Sequence, residues 1–217
     1  MLATLFYAHP PIKIEANQHT PFNTNTEMHT LASVYDKLLP HLNKPIACAV
    51  QANKGCAGIL MEKLAGIPQT SNILDCVDGE VKSFPLTINR KGFIVPQETV
   101  AVTMVKPESL LTVPFTESNV YKKLAHTLYL PLLREGDNVS IRALVIHTIE
   151  AGSLLYKQLE EDYNAIAAAY REKNTLVGTS DIGTYLQTRT KGAGHGSTTR
   201  AFYLRKNFLQ EHIILHR

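Results

Sequence analysis

The chain has 217 residues, of which 44% are hydrophobic and 19% are charged, and its formal net charge is +3. This length and composition predict one folded domain with a sizeable core, and they exclude a disordered or fibrous chain. No run of 18 apolar residues occurs, and Pro10 and Pro11 interrupt the opening apolar stretch, so neither a membrane span nor a signal peptide is predicted.

The first half of the chain predicts two helices followed by strands. One helix is expected near "TLASVYDKLLPHL", and a second in "NKGCAGILMEKLAGIP", where Gly66 and Pro68 form a typical stop. The segments "NILDCV", "EVKSFPLTI" and "FIVPQETVAVTMV" are rich in Val, Ile, Phe and Thr, and each is predicted to be a strand.

The second half of the chain mixes strands and helices. "SNVYKKLAHTLYLPLL" is predicted to be a short helix leading into a strand, whereas "VSIRALVIHTI" fits either a strand or the start of a helix. "AGSLLYKQLEEDYNAIAAAYREKN" predicts a long helix. Its apolar stripe consists of Leu154, Leu155, Leu159, Tyr163, Ile166 and Tyr170. The strands "TYLQTRT" and "RAFYLRK" flank the loop "KGAGHGSTT", and the whole order predicts a mixed α/β fold.

The stretch "LDCVDGEVKSF" places charges inside a β-favouring run. Asp78-Gly79 is typical of a two-residue type I′ hairpin loop, which would pair position 75 with position 82. Because strand side chains alternate, Glu80 and Lys82 share a face, and Asp75 is expected to join them. Two carboxylates favour Mg²⁺, and a lysine can position or deprotonate water, so the pattern predicts phosphodiester hydrolysis. A solvated Asp75–Lys82 ion pair is the alternative.

Basic residues are concentrated near the C-terminus. Residues 185–217 contain six Lys or Arg and one acid, Glu211, which favours either a polyanionic partner or a solvated tail. The loop "KGAGHGSTT" is interpreted as a DNA contact, in which Lys191, His195 and Arg200 reach phosphates or base edges. A nucleotide-binding loop and a surface turn are the alternatives, although the order of residues differs from a Walker A motif.

Four blocks in order resemble the MutH-like nucleases, a PD-(D/E)XK group that includes restriction endonucleases such as MvaI and BcnI. The blocks are "GCAGILMEKLAGIP", "NILDCVDGEVKSFPL", "VYKKLAHTLYLPL" and "YLQTRTKGAGHGSTTRAFYLRKNF". The resemblance implies a restriction-endonuclease-like mixed β-sheet flanked by helices, with two lobes that form a DNA cleft. It also implies a single nuclease domain over residues 1–217, with a catalytic core near residues 50–110 and a DNA-contacting lobe near residues 175–217.

The resemblance assigns roles to individual residues. Asp75, Glu80 and Lys82 would form the catalytic set, and Glu62 would be an accessory catalytic acid that reaches the metal or places Lys82. Asp75, Glu80 and the backbone of Val81 would hold Mg²⁺. The implied DNA-binding residues are Lys123, Arg189, Lys191, His195, Arg200 and Tyr203.

The functional prediction is a Mg²⁺-dependent, sequence-specific endonuclease for double-stranded DNA, similar to type II restriction enzymes and acting as a monomer. Three irregularly spaced cysteines signal no disulfide framework or zinc site, and a reducing cytoplasm is the expected location. The short gap between Asp75 and Glu80 resembles MvaI, which favours a restriction-type enzyme. The alternative is a MutH-type methyl-directed mismatch-repair nickase that depends on a MutL-like partner. A DNA-binding protein without chemistry and a structural protein are further alternatives.

Overall fold

The computed structural model describes residues 29–48, 55–68, 71–175, 178–179, 181–191 and 199–215. His195 and the rest of residues 192–198 lie outside these ranges, so the proposed contact of this loop with DNA stays a prediction. Among the described residues, no helix combines the length and the apolar character needed to cross a membrane.

The described residues form a mixed α/β fold. The helices are α1 (Leu31–Leu38), α2 (Cys56–Ala65), α3 (Pro107–Thr112), α4 (Asn119–Leu124), α5 (Leu154–Lys173) and α6 (Lys206–Phe208), with a π-helical segment at Leu209–Ile214. The strands are β1 (Ile46–Ala47), β2 (Glu80–Ile88), β3 (Ile94–Pro96), β4 (Val100–Met104), β5 (His126–Glu135), β6 (Asn138–Ile141), β7 (Val145–Thr148), β8 (Leu186–Thr190) and β9 (Arg200–Leu204).

The strands belong to two sheets. The larger has the order β1-β6-β5-β2-β3, with β7 also paired to β5, and the smaller has the order β4-β9-β8. β2 and β5 run parallel, with Glu80 opposite Thr127 and Lys82 opposite Tyr129. Every other strand pair is antiparallel. The larger sheet is therefore mixed, as the resemblance to the nucleases implies.

β2 lies between two hydrophobic cores because its side chains alternate between the faces of the sheet. Phe84 and Leu86 are buried in the larger core, together with residues of β4, β8, β9 and α5. Val81 packs against the smaller core, which includes residues of α1 and α2. By alternation, Glu80 and Lys82 project from the same face as Phe84. Both sheets contribute to the larger core, which holds them together.

Several predicted elements are confirmed, and others are corrected. The predicted strand over residues 80–88, the helix-to-strand segment, the long helix and the two C-terminal strands are all present. "NILDCV" is not a strand, since it forms bends and one isolated bridge at Cys76. "FIVPQETVAVTMV" is not one strand: it gives β3, which pairs with β2, and β4, which pairs with β9 in the smaller sheet, because the chain bends between them at residues 97–99.

Two further predictions need correction. "VSIRALVIHTI" contains most of β6 and all of β7, so it is neither a single strand nor the start of a helix. Leu154 does not join the apolar stripe of α5. It is the first residue of the helix, after the cap Ser153, and 86% of its surface is exposed.

Candidate active site

The turn before β2 joins residues 76 and 79. The Cys76 N–H donates to the Gly79 carbonyl at 2.9 Å, so the two-residue loop consists of Val77 and Asp78. The predicted Asp78-Gly79 loop is therefore wrong by one residue, and Asp75 is not the cross-strand partner of Lys82. Gly79 does not have a positive φ.

Close packing explains the glycine at this position. A Cβ on Gly79 would lie 2.4 Å from the carbonyl oxygen of His126 and 2.6 Å from Cδ1 of Leu31. The neighbouring Asp78 accepts a hydrogen bond from the Leu31 N–H at 2.8 Å. Contacts with α1 and β5 thus hold the turn in place, and this fixes the position at which β2 begins.

Glu80 is the buried centre of the site, with only 1% of its surface exposed. Its Oε1 atom accepts hydrogen bonds from the Nζ atoms of Lys82 and Lys123, both at 2.6 Å. Its Oε2 atom is also buried and has no hydrogen-bond partner within the described part of the chain. A buried carboxylate needs charge compensation and full hydrogen bonding, so this oxygen has unused capacity to bind a cation or a proton donor.

Lys82 and Lys123 come from different parts of the chain. Lys82 follows Glu80 by two residues on β2, so their predicted shared face is confirmed by the 2.6 Å contact. Lys123 lies in the last turn of α4, a helix whose N-terminus is capped by the Ser118 side chain. Thr127 on β5 donates its hydroxyl to the Lys123 carbonyl at 2.8 Å, which helps to hold the end of α4.

Asp75 reaches β2 from the preceding segment. Its Oδ2 atom accepts a hydrogen bond from the Val81 N–H at 3.1 Å, and its side chain is exposed. Asp75 is therefore close to the backbone of the residue between Glu80 and Lys82. The predicted convergence on one region is observed, although the contact is with the Val81 backbone and not with Lys82.

A groove runs along the edge of β2 beside these residues. It has a volume of about 280 Å³, and its lining includes Glu62, Val81, Lys82, Thr99 and Ala101. Glu62 lies on α2, which begins at Cys56 and ends before Gly66, whose φ of 71° suits a helix stop. The predicted accessory acid and the predicted catalytic lysine thus line the same groove.

Two side chains next to Glu80 are held in their protonated forms. Burial, followed by the charges of Asp78, Asp75 and Glu80, raises the pKa of the Cys76 thiol to about 12. Burial, together with the Glu80 carboxylate, also raises the pKa of the Tyr129 phenol above its usual value. Burial is therefore the main reason that Cys76 stays a thiol, and the neighbouring carboxylates reinforce it.

The predicted DNA-binding residues Arg189 and Tyr203 lie next to each other on the smaller sheet. The Arg189 guanidinium carbon is 5.8 Å from the centre of the Tyr203 ring, a cation–π distance. Arg189 also donates to the Thr99 hydroxyl at 2.9 Å. Since Thr99 lines the groove with Glu62 and Lys82, this contact links the smaller sheet to the candidate active site.

The other predicted DNA-binding residues are placed differently. Lys191 is exposed at the end of β8, and Arg200, which begins β9, is half-buried. The Lys191 N–H donates to the Thr199 carbonyl at 3.2 Å, so the two ends of the predicted loop are paired. Lys123, by contrast, points its ammonium group at Glu80, so in this structure it belongs to the candidate active site.

Asp162 is a buried residue that the sequence reading missed. It lies on α5 with 2% of its surface exposed, and it accepts backbone hydrogen bonds from Thr184, Tyr185 and Leu186 at 2.6–2.8 Å. It thereby holds the start of β8, the strand that carries Arg189. Its position on the buried side of a helix, close to the tyrosine stripe, was the available signal.

The residues around Glu80 fit a hard divalent cation only with further ligands from solvent or substrate. No group of three or more His, Cys, Asp or Glu side chains in the described ranges is arranged to hold a metal ion by itself. Mg²⁺ commonly uses only one or two carboxylates, with water and substrate phosphate completing its coordination. Asp75, Glu80 and the Val81 backbone match that requirement, and the unpartnered Glu80 Oε2 is the observation in its favour.

Comparison with known proteins supports the resemblance found in the sequence. Residues 69–167, 99 of the 217, match the family model described as "DNA mismatch repair enzyme MutH". This segment contains Asp75, Glu80, Lys82 and Lys123, whereas Glu62 and the predicted DNA-binding residues of β8 and β9 lie outside it. No curated protein matches the chain. Residues 69–167 are thus similar to the MutH family, a restriction-endonuclease-like PD-(D/E)XK family, and this match supports the resemblance found in the sequence.

Proposed function

We propose that this protein is a Mg²⁺-dependent, sequence-specific endonuclease that hydrolyses phosphodiester bonds in double-stranded DNA. The observation that carries the proposal is the Glu80 carboxylate. This carboxylate is buried, and one of its oxygens contacts the ammonium groups of both Lys82 and Lys123. Its other oxygen has no hydrogen-bond partner in the described part of the chain. Glu80 also lies in the segment that matches the MutH family. A buried carboxylate oxygen without such a partner among the described residues is available to a divalent cation.

The residues divide the work of hydrolysis between them. Asp75, Glu80 and the Val81 carbonyl would hold Mg²⁺, which when bound polarises the phosphoryl group and makes water a better nucleophile. Lys82 lies on the groove and can orient the attacking water as an ammonium group or, in its neutral amine form, take up a proton from it. Glu62, in the same groove, would assist by positioning water or Lys82.

Lys123 has a second task in this proposal. Its ammonium group sits on the same Glu80 oxygen as that of Lys82. Two positive charges at this position can stabilise the negative charge that develops on the phosphate oxygens during attack. They also reduce the repulsion between Glu80 and an approaching phosphate.

The smaller sheet would supply DNA recognition. Arg189, exposed on β8, stacks near Tyr203 and reaches Thr99 at the groove, so a duplex in contact with Arg189 would lie beside Lys82. Arginine is well suited to bidentate contact with phosphate or guanine. Lys191, His195 and Arg200 would extend this contact along the duplex. A DNA cleft between two lobes, a monomeric state and a cytoplasmic location remain part of the proposal.

A second candidate is a MutH-type, methyl-directed repair nickase that requires a MutL-like partner. The description of the matching family favours it. The two candidates differ in what they need. The restriction-type enzyme should cut unmodified DNA alone, whereas the repair nickase should cut one strand of hemimethylated GATC sites and respond to a MutL-like protein.

The decisive experiment is plasmid cleavage by the purified protein. We expect cleavage or nicking with Mg²⁺ and none with EDTA, and we expect Lys82→Ala to lose at least a hundredfold in rate, the scale of one general acid–base group. Lys122→Ala is the matched control, because Lys122 is an exposed lysine on α4, one residue away from Lys123. Its cleavage rate should stay within about twofold.

The same assay separates the alternatives. Full cleavage by Lys82→Ala would remove that residue from the mechanism. A protein that binds DNA, with an affinity that falls steeply with salt, but never cuts would be a binding protein without chemistry. Mapping the cut ends on DNA of known sequence would give the recognition site and distinguish nicking from double-strand cleavage.

A further inference from the structure

Two of the three cysteines meet in the fold although their spacing gave no hint of it. The Sγ atoms of Cys48 and Cys56 are 3.2 Å apart, and all three cysteines are thiols. A disulfide needs a sulfur–sulfur distance of about 2.05 Å, so an approach of about 1 Å would bring the pair to bonding distance. Cys76 is buried near the carboxylates of Asp75, Asp78 and Glu80.

The two thiols lie at a junction between the sheet and a helix. The Cys48 N–H donates to the Asp137 carbonyl at 2.8 Å, which ties this residue to the turn between β5 and β6. Cys56 is the first residue of α2, the helix that carries Glu62. A covalent bond between the two cysteines would therefore attach the start of α2 to the edge of the larger sheet.

The pair also has unequal access to solvent. Cys48 is buried, with 3% of its surface exposed, whereas Cys56 is only partly buried. Gly55 and Ala57, the neighbours of Cys56, line a groove of about 410 Å³. Burial and the neighbouring Cys56 raise the pKa of the Cys48 thiol. An oxidant would therefore meet Cys56 first, with Cys48 held directly behind it.

We propose that Cys48 and Cys56 are a redox modification site that forms an intramolecular disulfide in the presence of a small disulfide oxidant such as oxidised glutathione. The Cys56 thiolate attacks one sulfur of the oxidant, its S–S bond breaks, and glutathione leaves as a thiolate that takes up a proton. The Cys48 thiolate then attacks the Cys56 sulfur and expels the second glutathione. Two thiols are oxidised, one disulfide is reduced, and two glutathione molecules are released.

The expected physical effect is a stiffer attachment of α2. The bond would close a loop across a sequence separation of eight residues. Closing a loop of this size in a chain of about 200 residues corresponds to a rise in the thermal midpoint on the order of 5 °C, if the bond forms without strain. The short starting distance between the sulfur atoms favours low strain. This inference does not depend on the protein being a nuclease.

The test uses the full-length protein, reduced or treated with oxidised glutathione. We expect the titratable thiols of the denatured protein to fall from three to one, and non-reducing peptide mapping to recover a peptide pair linking Cys48 to Cys56. The thermal midpoint should rise by about 5 °C, and dithiothreitol should reverse both changes. Glutathione remaining on Cys56 without an internal bond, a bond to Cys76, or an unchanged or lower midpoint would each overturn the proposal.

Two variants sharpen the result. Cys56→Ser should abolish both the linked peptides and the rise in the midpoint, because Cys48 then has no partner at this distance. Cys76→Ser is the matched control and should keep both. If either variant fails to fold, the peptide map and the thermal midpoint of the protein without substitutions, reduced and oxidised, still decide the question.

Discussion

Replacing Glu80 by Gln tests whether the buried carboxylate balances two ammonium groups. The Nζ atoms of Lys82 and Lys123 both lie 2.6 Å from the same Glu80 oxygen, so they are at most twice 2.6 Å, about 5.2 Å, apart. Glutamine keeps the shape and one acceptor oxygen but removes the negative charge. The two lysines would then repel each other without compensation.

The size of this repulsion follows from the distance. At 5.2 Å and an effective dielectric constant of about 20, two unit charges repel by about 3 kcal/mol, and in bulk water by about 1 kcal/mol. The lysine side chains are 18% and 17% exposed, so they can relax only partly towards solvent. We therefore expect Glu80→Gln to lower the free energy of unfolding by about 2–3 kcal/mol.

A double-mutant cycle with Lys123→Met gives the sharper test, because the sign of the lysine effect should reverse. In the parent protein, Lys123→Met removes a partner of the buried carboxylate and should cost about 1–3 kcal/mol. In the Glu80→Gln background it removes a repelling charge and should restore about 1–3 kcal/mol. Urea denaturation at low and high salt measures all four proteins. A lysine effect of the same sign in both backgrounds would refute this electrostatic account.

Three further outcomes are expected. Gly79→Ala should cost about 2 kcal/mol or more in urea denaturation and slow DNA cleavage, because its Cβ meets the His126 carbonyl at 2.4 Å. Asp162→Ala should cost about 3 kcal/mol or more and weaken DNA binding, because it leaves three backbone N–H groups at the start of β8 without their acceptor. Between pH 9 and pH 12, the free energy of unfolding of the parent protein should fall more steeply than that of Cys76→Ser. The difference between the two slopes should be at most about 1.4 kcal/mol per pH unit.

The sign of the last prediction follows from the order in which the two states lose the proton. The pKa of Cys76 is raised from 9.0 to about 12 in the folded protein, so the unfolded thiol ionises first as the pH rises. The stabilising contribution of the Cys76 thiol is thus present below pH 9 and is lost as the pH rises above it.

Gly92→Ala is a control for Gly79→Ala. A Cβ added to Gly92 would have no atom within 4 Å, so the positive φ alone should cost about 1 kcal/mol. Equal losses at both glycines, equal pH slopes, or full stability of Asp162→Ala would contradict these predictions.

The sequence predicted local features of the site well. Alternation along β2 was enough to place Glu80 and Lys82 on one face, and their hydrogen bond at 2.6 Å agrees with it. The helix before Gly66 was visible from its stop signal. Both features depend on residues close together in the chain, where backbone geometry alone sets the direction of a side chain.

Contacts between distant segments were harder to foresee. Lys123 reaches Glu80 because β2 and β5 pair in parallel, a register that no local pattern reveals. The Asp78-Gly79 signal gave the wrong loop because packing of Gly79 against His126 and Leu31 overrides the turn preference. The division of "FIVPQETVAVTMV" between two sheets and the role of Asp162 likewise depend on tertiary contacts. The resemblance brought Lys123 to attention, but not its contact with Glu80.

The alternation of side chains along β2 also affects what happens when the chain folds incorrectly. Phe84 and Leu86 enter the larger core from the face that presents Glu80 and Lys82. A mispairing by one residue would turn this whole set over, so it would expel two apolar side chains from the core and remove Glu80 and Lys82 from the candidate active site at once. Misfolded copies would therefore lack the arrangement of Glu80 and Lys82, and the proposed activity would be confined to molecules whose interior is correctly assembled.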